Sequence, residues 1–163
     1  MSNQDYSIEI SIPAQTLTLT AGGAVIREYA VSTAANGAGE RRDSFCTPRG
    51  RHVISDKIGA GCEPGTVFVG RRPTGEIYAP ELRARHPQRD WILTRILRLA
   101  GTEAGVNRGG DVDSHERYIY IHGAPDDTPM GRPGSAGCIR MRNADVVELF
   151  DLVEAGTPVH ISG

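Results

Sequence analysis

Three absences narrow this sequence before any motif is read. No apolar stretch of about 7–15 residues follows Met1, so neither a secretory core nor a membrane-spanning helix is written there. With Met1 as the native start this predicts a cytoplasmic protein; a start that replaced a leader would predict a periplasmic one. No run of basic residues exceeds a pair (Arg41-Arg42, Arg71-Arg72), and the formal charge is −2. That excludes nucleic acid and membrane as partners, and both pairs read as solvated loop charge. Cysteine is scarce. Cys46, Cys62 and Cys138 are an odd set in a chain of 163 residues, long enough to bury a core without staples. Cys46 and Cys62 therefore read as reduced, half-buried thiols.

Metal and phosphate signatures are missing too. His52 has no ligand partners at fixed spacing and reads as a surface strand residue. Asp111-Val112-Asp113 lacks the later glycine and glutamate of a calcium loop. The glycine-rich stretch around Cys62 lacks the Lys-Ser/Thr ending of a phosphate cradle. No metal and no cofactor is expected. His115 reads as a solvated loop histidine.

What is present is mostly short strands. Ile8, Ile10 and Ile12 alternate with polar residues, Thr16–Thr20 repeats the pattern after Pro13, and Ala24–Ser32 supplies a third strand after Gly22-Gly23. Short strands are expected again at residues 52–54, 66–70 and 76–78. Pro80–Asp90 reads as an exposed loop that could cover the site as a lid, and Trp91–Leu99 fits helix and strand templates equally. After Asn143, taken as an N-cap, Val146, Val147, Leu149, Phe150 and Val153 form an apolar stripe that Gly156 ends. Pro158–Ile161 is a last strand. Residues 1–163 thus read as one mainly-β domain, a twisted sandwich or barrel with one helix at about 143–155.

The chemistry concentrates between Arg117 and Leu149. Tyr118–Ile121 is β-branched and aromatic, which favours a strand, and carries His122 at its end before Gly123. Sixteen positions later Cys138 stands on a turn of small residues, Gly134, Ser135, Ala136 and Gly137, past which a substrate backbone can approach closely. A thiol needs a base in reach, and His122 on a strand end supplies one. A buried structural cysteine with a satisfied strand-end histidine is the plain alternative. Tyr118 and Tyr120 read as packing residues.

The same residues resemble the YkuD-type L,D-transpeptidase catalytic domain. Ser135, Gly137, Cys138, Ile139 and Arg140 match its cysteine motif, downstream of His122 at a similar spacing. Thr47-Pro48-Arg49-Gly50, Asn107-Arg108-Gly109-Gly110 and Gly156-Thr157-Pro158-Val159 resemble further segments of it. Ala136 departs from the pattern, because the family usually has a second histidine there. The resemblance tips Trp91–Leu99 to a strand ending at Gly101. It also implies a reaction on murein stem peptides or soluble muropeptides. A Cys138 thiolate, favoured by an adjacent His122 imidazolium, attacks the carbonyl before a terminal D-alanine. Gly137 and Cys138 N–H groups receive the oxyanion, the Gly123 carbonyl fixes the imidazole tautomer, and Ser135 and Arg140 contact substrate or loop. Water as acceptor makes an L,D-carboxypeptidase, favoured here for recycled tetrapeptides. An amine acceptor makes a cross-linking transpeptidase, and loss of turnover would leave a muropeptide-binding module.

Overall fold

The computed structural model describes residues 5–163. Ten strands run in chain order: β1 (Tyr6–Ser11), β2 (Thr16–Ala21), β3 (Ala24–Ser32), β4 (Gly50–Ile58), β5 (Thr66–Val69), β6 (Arg72–Ile77), β7 (Ile92–Gly101), β8 (Tyr120–Gly123), β9 (Ile139–Met141) and β10 (Pro158–Ser162). Helix α1 (Pro80–Arg85) precedes β7 and helix α2 (Asn143–Leu152) precedes β10. The strands are ordered β4-β10-β1-β2-β3-β9-β8-β7, and β7 pairs back onto β4, so the sheet closes into a barrel. The β5–β6 hairpin stays outside the ring, joined to it where Val67 and Phe68 pair with Leu93 and Ile92. Among the described residues, no helix is long and apolar enough to cross a membrane.

Period-two alternation decides what fills the barrel. Ile8, Ile10, Leu17, Leu19, Val31, Leu97, Leu99, Ile121, Ile139, Val159 and Ile161 meet in one buried cluster. Helix α2 adds Val146, Leu149 and Phe150 to the same cluster. Leu149 is wholly buried, so Leu149→Ala is expected to cost about 3 kcal/mol, read as a lower urea midpoint at unchanged slope.

Several expectations change. Helix α2 ends at Leu152 with Val153 as C-cap, three residues short of 155. Its N-cap is Arg142, not Asn143. The Asn143 side chain is occupied elsewhere: its amide donates to the Ala124 carbonyl at 2.9 Å and its oxygen accepts from Thr94 Oγ1 at 2.5 Å. This ties the helix start to β7 and the exit of β8. Residues 80–85 are a helix rather than loop, because Pro80 is preset for the first turn and Leu82 finds a pocket. That pocket is a second cluster of Val67, Trp91 and Leu93, closed by Tyr78 edge-on to Trp91 at 5.3 Å. With Leu82 the one buried residue in six, no periodicity is there to read. β6 begins at Arg72, since the turn is only Gly70-Arg71, and β4 extends from residue 50 to 58.

His52 is the largest reversal. It is 1% exposed, not on the surface, with Nε2 2.8 Å from Ser114 Oγ and Nδ1 3.1 Å from the Gly50 carbonyl. Burial pushes its pKa down to about 4, so it is a neutral structural imidazole. Cys46 and Cys62 are free and half-buried, as expected. Asp113 caps its own loop, accepting from Gly109 N–H at 2.7 Å and Glu116 N–H at 2.9 Å.

Candidate active site

Strands β8 and β9 are parallel neighbours in the ring, pairing Ile121 with Ile139 and His122 with Arg140. Because side chains alternate, Ile121 and Ile139 point into the barrel while His122 and Arg140 point out together. Cys138 stands one residue ahead of β9 on that same outer face. The Pro/Gly-rich segment between the strands thus returns the chain alongside β8.

The loop before the cysteine is held from three sides. Thr47 Oγ1 donates to the Gly137 carbonyl at 2.9 Å and accepts from Ala34 N–H at 2.9 Å. Ser135 Oγ donates to the Cys138 carbonyl at 2.5 Å and accepts from Gly137 N–H at 3.2 Å. Gly137 has φ +134°, a conformation that disfavours any side chain. The Ser135 hydroxyl is therefore engaged inside the turn, bracing it instead of facing substrate. Arg117 pins the neighbouring loop through the Glu40 carbonyl at 3.1 Å and the Cys46 carbonyl at 2.7 Å.

The Cys138 sulfur accepts from Tyr120 N–H and donates to the Tyr118 carbonyl, both at 3.4 Å. His122 is 0% exposed. Its Nδ1 lies 2.6 Å from the Gly123 carbonyl, which has no proton to give, so Nδ1 carries the hydrogen and Nε2 the lone pair. That Nε2 is buried with no hydrogen-bond partner among the described residues. An unpaired acceptor of this kind costs free energy and marks a site awaiting a proton.

Burial pushes the Cys138 thiol up to about 12 and the His122 imidazole below its ordinary value. The resting pair is thus neutral thiol and neutral imidazole. Desolvation by burial, the largest influence on each group, thus works against the expected thiolate–imidazolium pair at rest. Proton transfer has to accompany attack.

A cleft of about 490 Å³ opens over the sulfur, lined by Phe68, Arg71, Asp90, Tyr118, Tyr120, Ala136 and Cys138. Tyr118 is 53% exposed, in a left-handed conformation at φ +57°, and is a cleft wall, not a packing residue; Tyr120 is buried. Arg71, expected as solvated charge, bends over the cleft, its guanidinium 5.0 Å from the Tyr118 ring centre and donating to Tyr120 Oη at 3.0 Å. Arg140 donates to the Gly134 carbonyl at 3.0 Å and to Asp90 Oδ1 at 3.3 Å. Asp90, Arg71 and Phe68 carried no sequence signal, since each comes from a segment remote in the chain.

Comparison with known proteins bears on the family and the fold. The family model for the YkuD L,D-transpeptidase catalytic domain matches residues 5–161. L,D-transpeptidase YkuD of Bacillus subtilis strain 168 is 26% identical over 162 residues, 96% of this chain and 66% of that protein. YkuD of Bacillus licheniformis is 48% identical over 47 residues, 29% of this chain and 28% of that protein. L,D-transpeptidase 3 of Mycobacterium tuberculosis, solved with a faropenem-derived adduct, shares the fold at TM-score 0.60 and 17% identity, covering 98% of this chain and 61% of that one. The chain spans between about half and two thirds of the proteins that it matches along nearly its whole length.

Proposed function

This chain belongs to the YkuD L,D-transpeptidase catalytic domain family, and on that premise we propose that it is a cysteine L,D-carboxypeptidase acting on murein stem tetrapeptides. The observation that carries the chemistry is the buried, unpartnered Nε2 of His122 on the same face as the Cys138 sulfur. In the proposed reaction, the substrate carbonyl before the terminal D-alanine enters the cleft above Cys138. Nε2 takes the thiol proton as the sulfur forms its bond to the carbonyl carbon. The oxygen gains the negative charge, with the Cys138 N–H as its candidate donor; the Gly137 N–H, expected to share that role, is already given to Ser135 Oγ at 3.2 Å. The imidazolium then returns its proton to the departing D-alanine amine, leaving a thioester. Water, deprotonated by the same nitrogen, opens the thioester to a tripeptide carboxylate and restores the thiol.

Ala136 favours water over an amine as the acceptor. Its methyl group lines both the catalytic cleft and a neighbouring cavity of about 230 Å³. There is thus room for solvent beside Ala136, where the family usually carries a second histidine. Soluble tetrapeptides in the cytoplasm are the substrate under this reading.

Mass spectrometry of the protein with a diaminopimelate-containing tetrapeptide, with and without an acceptor amine, tests the proposal. Loss of one D-alanine, abolished in Cys138→Ala, is the expected result. A dimeric or amine-exchanged product would make it a cross-linking transpeptidase. Peptide binding with no product and no acyl adduct would make it a binding module.

A further inference from the structure

The transfer of a proton to His122 creates a cation in a fully buried place, and such a charge is costly unless another offsets it. The β8–β9 register makes matters worse. It sets Arg140, already a cation, directly beside His122 on the same face. The nearest strand neighbours are uncharged, since Ile96 is the β7 partner of His122 and Tyr120 shares its strand, and the Asp126 carboxylate beyond them is tied to the Asn143 amide at 3.0 Å. Arg117 and Arg71, the other charged groups around the sulfur, are both positive.

Asp90 is the exception. Its carboxylate lines the cleft over Cys138 and also a small cavity of about 140 Å³ on the far side, shared with Arg140. Its mount is firm, since Arg89 is paired to Glu76 at 2.8 Å and Trp91 is buried. We propose that Asp90 is a positioning residue for the reaction: it draws the Arg140 guanidinium away from the catalytic pair and supplies the negative charge that the protonated His122 requires. Two bonds hold Arg140 in the drawn position, to Asp90 at 3.3 Å and to the Gly134 carbonyl at 3.0 Å. Burial lowers the proton affinity of His122 most; Asp90 raises it, and Arg140 lowers it.

The inference rests on the Cys138–His122 chemistry above but not on any murein substrate. Iodoacetamide alkylation of Cys138, followed by peptide mass across pH, reads it directly. The acid limb of that profile reports protonation of His122. In Asp90→Asn the limb is expected to move to lower pH by about half a unit, a modest shift because the Asp90 side chain is half exposed. Asp90→Glu keeps the wild-type limb, and Arg140→Gln moves it to higher pH. Asp127→Asn, which removes an acid paired to Arg83, leaves it in place. A merely structural role for Asp90 would slow alkylation without moving the limb. An unmoved limb in Asp90→Asn, or an equal shift in Asp127→Asn, overturns the proposal. Should Asp90→Asn fail to fold, an Arg140→Gln limb that does not rise overturns it as well. A shift in alkylation without D-alanine release would keep this inference and overturn the substrate reading.

Discussion

His122→Ala is expected to lower both D-alanine release and Cys138 alkylation by about a thousandfold, the usual scale for removing a positioned base. The size of the loss follows from the resting state. A thiol pushed up to about 12 provides almost no thiolate at neutral pH, so the reaction depends on a partner that removes the proton during attack. Among the described residues three buried side-chain nitrogens lack a partner, and Nε2 is the one able to take a proton, since the other two belong to the guanidinium groups of Arg95 and Arg98. His122→Gln, which fills the space without a basic nitrogen, should lose as much, and this separates base chemistry from packing. The wild-type rate carries the matching pH signature. Because the imidazole is held below 6.5, the active neutral form persists into mildly acid solution and is lost as pH falls through the lowered value. A variant retaining a tenth of the wild-type rate would rule out this role for His122.

Gly123→Ala is the second large effect. At this glycine an added Cβ would lie 2.7 Å from the Leu93 carbonyl and 3.0 Å from Thr94 Cβ, and would collide with Asn143 Oδ1. These are backbone and tightly bonded atoms of β7 and α2, with no slack to take up the overlap. The φ of Gly123 is not in the left-handed region, so at an uncrowded site the same change would stabilise by a few tenths of a kcal/mol. Here it is expected to destabilise by about 2–3 kcal/mol in urea unfolding. Activity should fall further than stability, because the displaced carbonyl is the acceptor that fixes Nδ1. A stabilised, active Gly123→Ala protein would overturn the crowding argument.

The alternating strands were legible because one face of each is buried: Ile8, Ile10, Leu17 and Leu19 announce their side by period alone. The motif around Cys138 and His122 was legible because small residues and a strand-end histidine have local meaning. Pairing was not. Nothing in Pro158–Ile161 says that this strand lies between β1 and β4. His52 was misread because its partner Ser114 is 62 positions away, and a polar residue in a short strand looks exposed until that partner is known. Asn143 was misread because its amide is taken by Ala124 and its oxygen by Thr94. Tyr118 needed its left-handed backbone before its ring could be placed on the cleft. Asp90 had no local pattern at all, and its meaning comes wholly from the guanidinium that it meets.

Strand β10, last of the ten in sequence, pairs with β1 on one side through Ile8–Val159 and with β4 on the other through Val53–Pro158. Until it docks, the ring stays open at two seams and the β1 and β4 edges are bare. Folding must therefore wait for contacts between the two extremes of the sequence, an arrangement that belongs among slow, millisecond-to-second folders. During that wait the exposed edges are open to pairing with other chains. The strand that does least for the chemistry is thus the one that governs how quickly, and how cleanly, an active molecule forms.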